Sequence, residues 1–158
     1  MYQQETDTKP AVLVGESRML ELISTGAPLQ ELLDRICSTL DFQVGNVVSL
    51  ALSLEEDAQS LNELAEQAVQ FGLYVFSCCA ILSKRKQLLG TLETYGCLPE
   101  IPTVNQTRLI LRASELAGLA IELRDREHEP WNFTLKRAAQ RNSPEAHLFR
   151  TENWLRLG

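Results

Sequence analysis

The chain has 158 residues, of which 44 % are hydrophobic and 23 % charged, so it fits one globular domain with a tail and wholesale disorder is excluded. It has no run of about 18 apolar residues, and its first ten residues carry acids, so neither a membrane span nor a secretory signal is expected. The net charge of -6 arises in residues 1–71, which hold 12 acids and three bases. Residues 72–158 hold 12 bases, but these are mixed with nine acids. Because binding of nucleic acid normally needs clustered Lys and Arg residues, no nucleic-acid surface is expected.

Two helices are predicted near the N-terminus, after a polar lead-in at residues 1–10. The first covers about 15–24, and Gly26 lies in the break that follows it. Pro28 suits the start of the second helix, because its missing N–H is not needed in the first turn. The second helix repeats apolar residues with helical spacing, which predicts one buried face made of Leu29, Leu32, Leu33, Ile36, Cys37 and Leu40.

A strand and a third helix follow. Residues 46–54 alternate between large and small side chains with period two, and both faces of this strand are predicted to be covered. Ser60 and Glu63 have the spacing of a capping box, which predicts a helix that begins there. Its buried stripe is predicted to hold Leu61, Leu64, Ala65 and Ala68, and Gly72 is a plausible left-handed end.

Residues 73–82 and 87–95 are predicted to form a hairpin joined by the basic turn Ser83-Lys84-Arg85-Lys86. Gly90 lies inside the second strand, where a missing side chain indicates close approach of another element. A second capping box at Thr103 and Gln106 opens the longest helix, which runs to about 126. We therefore predict a domain at 11–126 and a mostly helical tail at 127–158.

The cysteines do not predict a metal or disulfide site. Four cysteines are too few and too dispersed for a disulfide framework, which favours a reduced, cytoplasmic protein. Adjacent Cys78 and Cys79 point to opposite faces of a strand, so one metal ion could not easily use both. The two histidines, His128 and His147, lie far away in the tail. No metal is expected.

One polar trio within the predicted strands is a weak candidate for binding a ligand. Thr91, Glu93 and Tyr95 share one face of the second hairpin strand, and a carboxylate flanked by two hydroxyls can hold a small polar molecule. The alternative is that the trio forms the solvated face of an exposed strand.

Three segments in this order resemble a GAF domain of the kind found in bacterial sensor histidine kinases. They are ISTGAPL at 23–29, LLGTL at 88–92 and LAGLAIE at 116–122, and the resemblance covers about residues 13–124. It implies an α+β fold in which N- and C-terminal helices pack on a small antiparallel sheet. Because the first strand of that sheet lies beside the last, we expect about three strands in the order 1-3-2.

The middle of this chain is shorter than the corresponding segment in members of this family. They carry several dozen residues between the first strand and the helix before the hairpin, where this chain has only 55–59. Most of the usual ligand pocket is therefore expected to be absent, and both edges of the small sheet are expected to be exposed. We predict self-association, through the edge strands or through the helices at 15–40 and 103–126.

The resemblance implies a non-catalytic module of bacterial signal transduction that acts by dimerisation or by contact with a protein such as a sensor kinase. An alternative is a small-ligand sensor with a remodelled pocket. A third is a thiol-based redox enzyme, since some GAF proteins reduce methionine sulfoxide, although small core residues are the simpler interpretation of Cys78 and Cys79. Members of the family that bind a bilin use a Cys beside a His, and this chain has no such pair. Members that bind a cyclic nucleotide use the pocket walls that are missing here. No cofactor is therefore expected.

Overall fold

The computed structural model describes residues 12–53 and 58–124. The predicted lead-in at 1–10 and the predicted tail at 127–158 lie outside the described residues. Four helices and three strands follow one another as α1 (Glu16–Thr25), α2 (Leu29–Val44), β1 (Val47–Ser53), α3 (Ala58–Gln70), β2 (Tyr74–Leu82), β3 (Leu88–Gly96) and α4 (Val104–Arg124).

The strands form one antiparallel sheet in the order β1-β3-β2, which confirms the predicted α+β class and strand order. β1 and β2 both run antiparallel to β3, so β3 is the central strand and the other two are its neighbours on either side. The β2–β3 register shifts between Val75 and Ser77, which leaves Phe76 as an extra residue, and shifts again between Ile81 and Leu82.

The helices α2 and α4 pack against each other, and they contact β1 and β2 respectively. All six residues of the predicted apolar face of α2 are buried, Cys37 included, which confirms that prediction. β1 is buried on both faces, as its alternating pattern predicted. Ser49 and Thr94 lie opposite each other on the face that the helices cover, and their hydroxyl oxygens are 3.2 Å apart in a hydrogen bond.

Two glycines allow backbone segments to approach closely. A Cβ atom at Gly90 would collide with the carbonyl oxygen of Leu52 in β1, which confirms the predicted close approach. A Cβ atom at Gly118 in α4 would likewise collide with the carbonyl oxygen of Leu82 at the end of β2. The sheet is therefore held tightly at this end, both between its strands and against α4.

The two predicted capping boxes have different outcomes. Before α4, the Gln106 N–H donates to Thr103 Oγ1 at 3.1 Å and the Thr103 N–H donates to Gln106 Oε1 at 2.9 Å, which confirms that box. The box at Ser60 is wrong, because α3 already includes Ser60 and begins at Ala58. The predicted stripe of α3 is right at Leu64 and Ala68 and wrong at Ala65, which is exposed.

α1 is attached to α4 at both of its ends. Near its start, Glu16 Oε2 accepts hydrogen bonds from Arg112 Nε at 3.0 Å and Nη2 at 2.5 Å. At its end, the buried guanidinium of Arg124 donates to the carbonyl oxygens of Ile23 at 3.1 Å and Ala27 at 2.9 Å. None of the helices within residues 12–53 and 58–124 has the length and apolar content needed to cross a membrane.

Candidate functional site

The predicted polar trio lies on the central strand of the sheet. Thr91, Glu93 and Tyr95 alternate along β3 and share one face, as expected, but β3 is not an edge strand. Glu93 is half-buried and Tyr95 is only 4 % exposed, so the trio is not simply a solvated strand face.

The structure adds Cys78 to this trio. The Tyr95 hydroxyl donates to Glu93 Oε1 at 2.6 Å. The Cys78 thiol donates to Glu93 Oε2 with a sulfur–oxygen distance of 3.7 Å, because Cys78 lies directly opposite Glu93 on β2. We call Cys78, Glu93 and Tyr95 the Glu93 cluster; none of these hydrogen bonds involves Thr91.

The simpler interpretation drawn from sequence, that both cysteines are core residues, is wrong at Cys78 but agrees with the packing of Cys79. Cys78 is exposed, whereas Cys79 is half-buried and packs against the core from the helix side of the sheet. The two side chains point to opposite faces of β2, as strand geometry predicted.

The protonation preferences of the Glu93 cluster favour a neutral thiol and a neutral phenol. Partial burial raises the pKa of the Cys78 thiol, and the charge and hydrogen bond of Glu93 raise it further. Burial raises the pKa of the Tyr95 hydroxyl, and its hydrogen bond to Glu93 acts in the same direction. A nucleophilic thiol needs the opposite environment, one that stabilises the thiolate.

A second feature is an open cleft of about 250 Å³ at the end of the sheet where α2, β1, β3 and α4 meet. Among the described residues that line it, Glu100 is the one that is charged. Gln106 forms part of its wall and donates from Nε2 to the Val44 carbonyl oxygen at 3.3 Å. Phe76, the extra residue of β2, also lines the cleft. Its volume lies below the range of about 300–1,000 Å³ that is usual for small-molecule pockets.

The third feature is β2 itself, which we call the β2 edge. Its side chains include exposed Tyr74, Val75, Cys78, Ala80 and Leu82, with Val75 64 % exposed. All nine residues of β2 are uncharged and none is proline, although charges and prolines are common means of protecting an edge strand. The sequence predicts that the sheet edges are exposed, but it does not identify residues 73–82 as a binding surface.

Within the part of the chain that the structure describes, no group of three or more His, Cys, Asp or Glu side chains is placed to hold a metal ion. Comparison with protein-family models, with curated proteins and with solved structures gave no match to this chain. The geometry of the Glu93 cluster, the cleft and the β2 edge is therefore the basis on which function is argued.

Proposed function

We propose that this chain is a non-catalytic regulatory module that acts by binding another protein chain along the β2 edge. The observation that carries the proposal is an outer strand of nine residues, five of them exposed, that has no charged residue or proline. Such a strand presents a row of backbone donors and acceptors to which another strand can pair.

The side chains of the β2 edge favour the same interaction. Tyr74 and Val75 near its start and Leu82 at its end are exposed apolar groups, and burying them against a partner is favourable by about 25 cal/mol per Å² of apolar surface. Ser77, Cys78 and Ala80 between them are small, so they do not obstruct an approaching backbone. Main-chain hydrogen bonds would supply affinity and the larger side chains would supply selectivity.

The Glu93 cluster supports a non-catalytic role. The pKa of the Cys78 thiol is raised rather than lowered, which disfavours the thiolate that a redox or nucleophilic enzyme needs. Both Glu93 oxygens already accept hydrogen bonds from Tyr95 and Cys78. The cluster is thus better suited to fixing the register of β2 and β3 than to chemistry.

The resemblance to GAF domains supports placing this module in bacterial signal transduction in the cytoplasm. It implies a dimer or a protein partner such as a sensor kinase, with a conformational change that passes through the terminal helices. Because α1 is attached to α4 through Glu16–Arg112 and through Arg124, a change at the sheet that shifts α4 would also shift α1.

The first prediction tests the β2 edge with a charge. Ala80 is exposed in the middle of β2, so Ala80→Lys should leave the fold intact while placing an ammonium group on the surface that a partner must desolvate. We expect concentration-dependent dimers of the unaltered chain, and a dissociation constant at least about tenfold higher for Ala80→Lys, which corresponds to about 1.4 kcal/mol. Sedimentation velocity over a range of concentrations measures this.

The control for this prediction is Phe42→Lys, which adds the same charge to α2, the helix that contacts β1 on the other side of the sheet, at a residue that is 57 % exposed. It should associate like the unaltered chain. A chain that remains monomeric at all concentrations contradicts self-association, and equal weakening by both substitutions contradicts the role of the β2 edge.

The open cleft favours a second candidate function, a small-ligand sensor. The described part of its wall includes Phe76, Glu100 and Cys97 and no basic residue, so a small neutral or cationic molecule would suit it better than an anion. Native mass spectrometry of the purified chain tests this candidate, because a retained ligand appears as a fixed mass excess. Loss of that excess in Phe76→Ala would assign the ligand to the cleft.

A further inference from the structure

We propose that the partner at the β2 edge is a second copy of this chain, paired antiparallel about a two-fold axis at Cys79. This inference rests on the proposed function, since it names the partner and the register of that same edge. A two-fold interface uses the same surface on both copies, so β2 must be complementary to itself when it is reversed.

The register follows from where β2 is regular. Pairing with β3 is uninterrupted from Ser77 to Ile81, and register shifts occur on both sides of that stretch. A bulge bends a strand and raises its twist, so a new strand is best added along the straight segment between the two shifts. The midpoint of residues 77–81 is Cys79, which sets the axis.

Reversal about Cys79 places complementary side chains opposite each other. Cys78 of one copy lies opposite Ala80 of the other, and Ser77 lies opposite Ile81. Apart from Ile81, which is buried, the side chains at the centre of the interface are small and allow the backbones to approach to hydrogen-bonding distance. By the same count Leu82 of one copy lies opposite Phe76 of the other, so apolar side chains face each other at both ends of the paired stretch.

Charge favours the same arrangement. β2 is uncharged, so two identical strands meet without repulsion between like charges. About an axis at Cys79, Lys84 lies opposite position 74 of the second copy and Lys86 lies opposite position 72. The basic turn of each copy would therefore lie beside the end of the other copy's α3, a helix that carries Glu63 and Glu66 and no basic residue.

Disulfide trapping at Ala80 tests this register. Directly opposite residues of antiparallel strands have Cα atoms about 4.5–5.5 Å apart, within the range that a disulfide spans. In a Cys79→Ser, Cys97→Ser background, the remaining thiols are Cys37, which is buried, and Cys78. Adding Ala80→Cys and oxidising with copper phenanthroline should convert most of the chain to a covalent dimer that contains two links between Cys78 and the introduced thiol.

Two matched variants serve as controls. Val69→Cys in the same background introduces an exposed thiol on α3, and it should give at least about fivefold less covalent dimer under the same oxidation, because it has no thiol opposite. Addition of Cys78→Ser to the Ala80→Cys variant should remove the link that peptide mapping assigns. Sedimentation velocity of each reduced variant shows whether association itself is retained.

The outcomes separate this inference from the proposed function. Trapping at Ala80 that depends on Cys78 supports the two-fold register. Association that persists without trapping overturns the inference. The proposed function then stands if Ala80→Lys still weakens that association, and it fails as well if Ala80→Lys has no effect. Equal trapping at Val69 reveals random collision and also overturns it. A strictly monomeric chain overturns the two-fold dimer. In that case the proposed function is still supported if a different protein binds to the β2 edge.

Discussion

At the scale of single residues, Glu93 joins β3 to β2, because its carboxylate accepts hydrogen bonds from both Tyr95 and Cys78. Strand alternation was sufficient to place Thr91, Glu93 and Tyr95 on one face. It could not place Cys78 opposite Glu93, because a four-residue turn at 83–86 would pair Cys78 with Thr91. The strand β3 begins one residue later than expected, and the register shifts between Ile81 and Leu82. Both details depend on the conformation of the turn, in which the Gln87 N–H donates to Ser83 Oγ.

The second prediction concerns the thiol of the Glu93 cluster. Glu93→Gln removes the negative charge beside Cys78 but keeps an oxygen that accepts the Tyr95 hydroxyl, so the pKa of the Cys78 thiol should fall. More thiolate is then present at a given pH. We expect Cys78 to react with iodoacetamide roughly two- to tenfold faster at about pH 8, measured by mass spectrometry of the Cys78 peptide.

Glu31→Gln on α2 is the matched control, since it removes an exposed carboxylate outside the cluster. Its Cys78 reactivity should equal that of the unaltered chain. If Glu93→Gln left the rate unchanged or lowered it, the Cys78–Glu93 hydrogen bond would not control the thiol.

At the scale of elements, a capping box marks the start of a helix only where the preceding residues cannot be helical. Thr103 follows a loop with two prolines, which prevent a helix from extending back beyond it, so the capping box there marks the start of α4. The same spacing at Ser60 lies within α3, because Ala58 and Gln59 are good helix formers and extend the helix backwards. The composition of β2 is that of a buried strand, and only the strand order makes it an outer one.

A third prediction tests how closely β3 approaches β1. The added methyl group of Gly90→Ala would collide with the Leu52 carbonyl oxygen, and backbone atoms cannot move aside as a flexible side chain can. We expect the free energy of unfolding to fall by about 1–3 kcal/mol, as for other overpacked sites. Urea denaturation followed by circular dichroism measures it.

Gly96→Ala is the control in the same strand, because a Cβ atom there meets its nearest neighbour, the Asn46 carbonyl oxygen, at an ordinary 3.7 Å. The free energy of unfolding should change by no more than about 0.5 kcal/mol. Equal losses for both variants would show that glycine content, rather than the contact with Leu52, limits the stability of β3.

At the scale of the whole molecule, residues far apart in the chain are joined by two arginines of α4. Arg112 binds Glu16 at the start of α1, and Arg124 donates to the carbonyl oxygens of Ile23 in its last turn and of Ala27 just after it. Neither contact was predicted: Glu16 and Arg112 are polar residues of two separate helices, and Arg124 binds backbone carbonyl oxygens, which any residue type carries. Which surfaces meet depends on how α1 and α4 pack, and helical periodicity does not specify that.

The fourth prediction is a pH-dependent loss of stability through Glu16. Hydrogen bonds from Arg112 hold the pKa of Glu16 below its usual value of about 4.3. This contribution to the free energy of unfolding is therefore full above about pH 4.3 and is lost as the pH falls through the lower pKa of the folded state. The Glu16 side chain is nearly buried, whereas that of Arg112 is one-third exposed. Glu16→Gln should therefore lower the free energy of unfolding by about 1–2 kcal/mol at about pH 6, which lies between the losses for exposed and for buried ion pairs.

Urea denaturation at about pH 6 and about pH 3 measures this effect, because the difference between Glu16→Gln and the unaltered chain should shrink at the lower pH as Glu16 becomes protonated. Glu21→Gln is the control, since Glu21 pairs with Arg18 on the exposed side of the same helix and both side chains are more than half exposed. It should change stability by at most about 0.5 kcal/mol at either pH. A loss for Glu16→Gln that is the same at both pH values would contradict a charge interaction, and the link between α1 and α4 would then depend on Arg124 and on apolar packing.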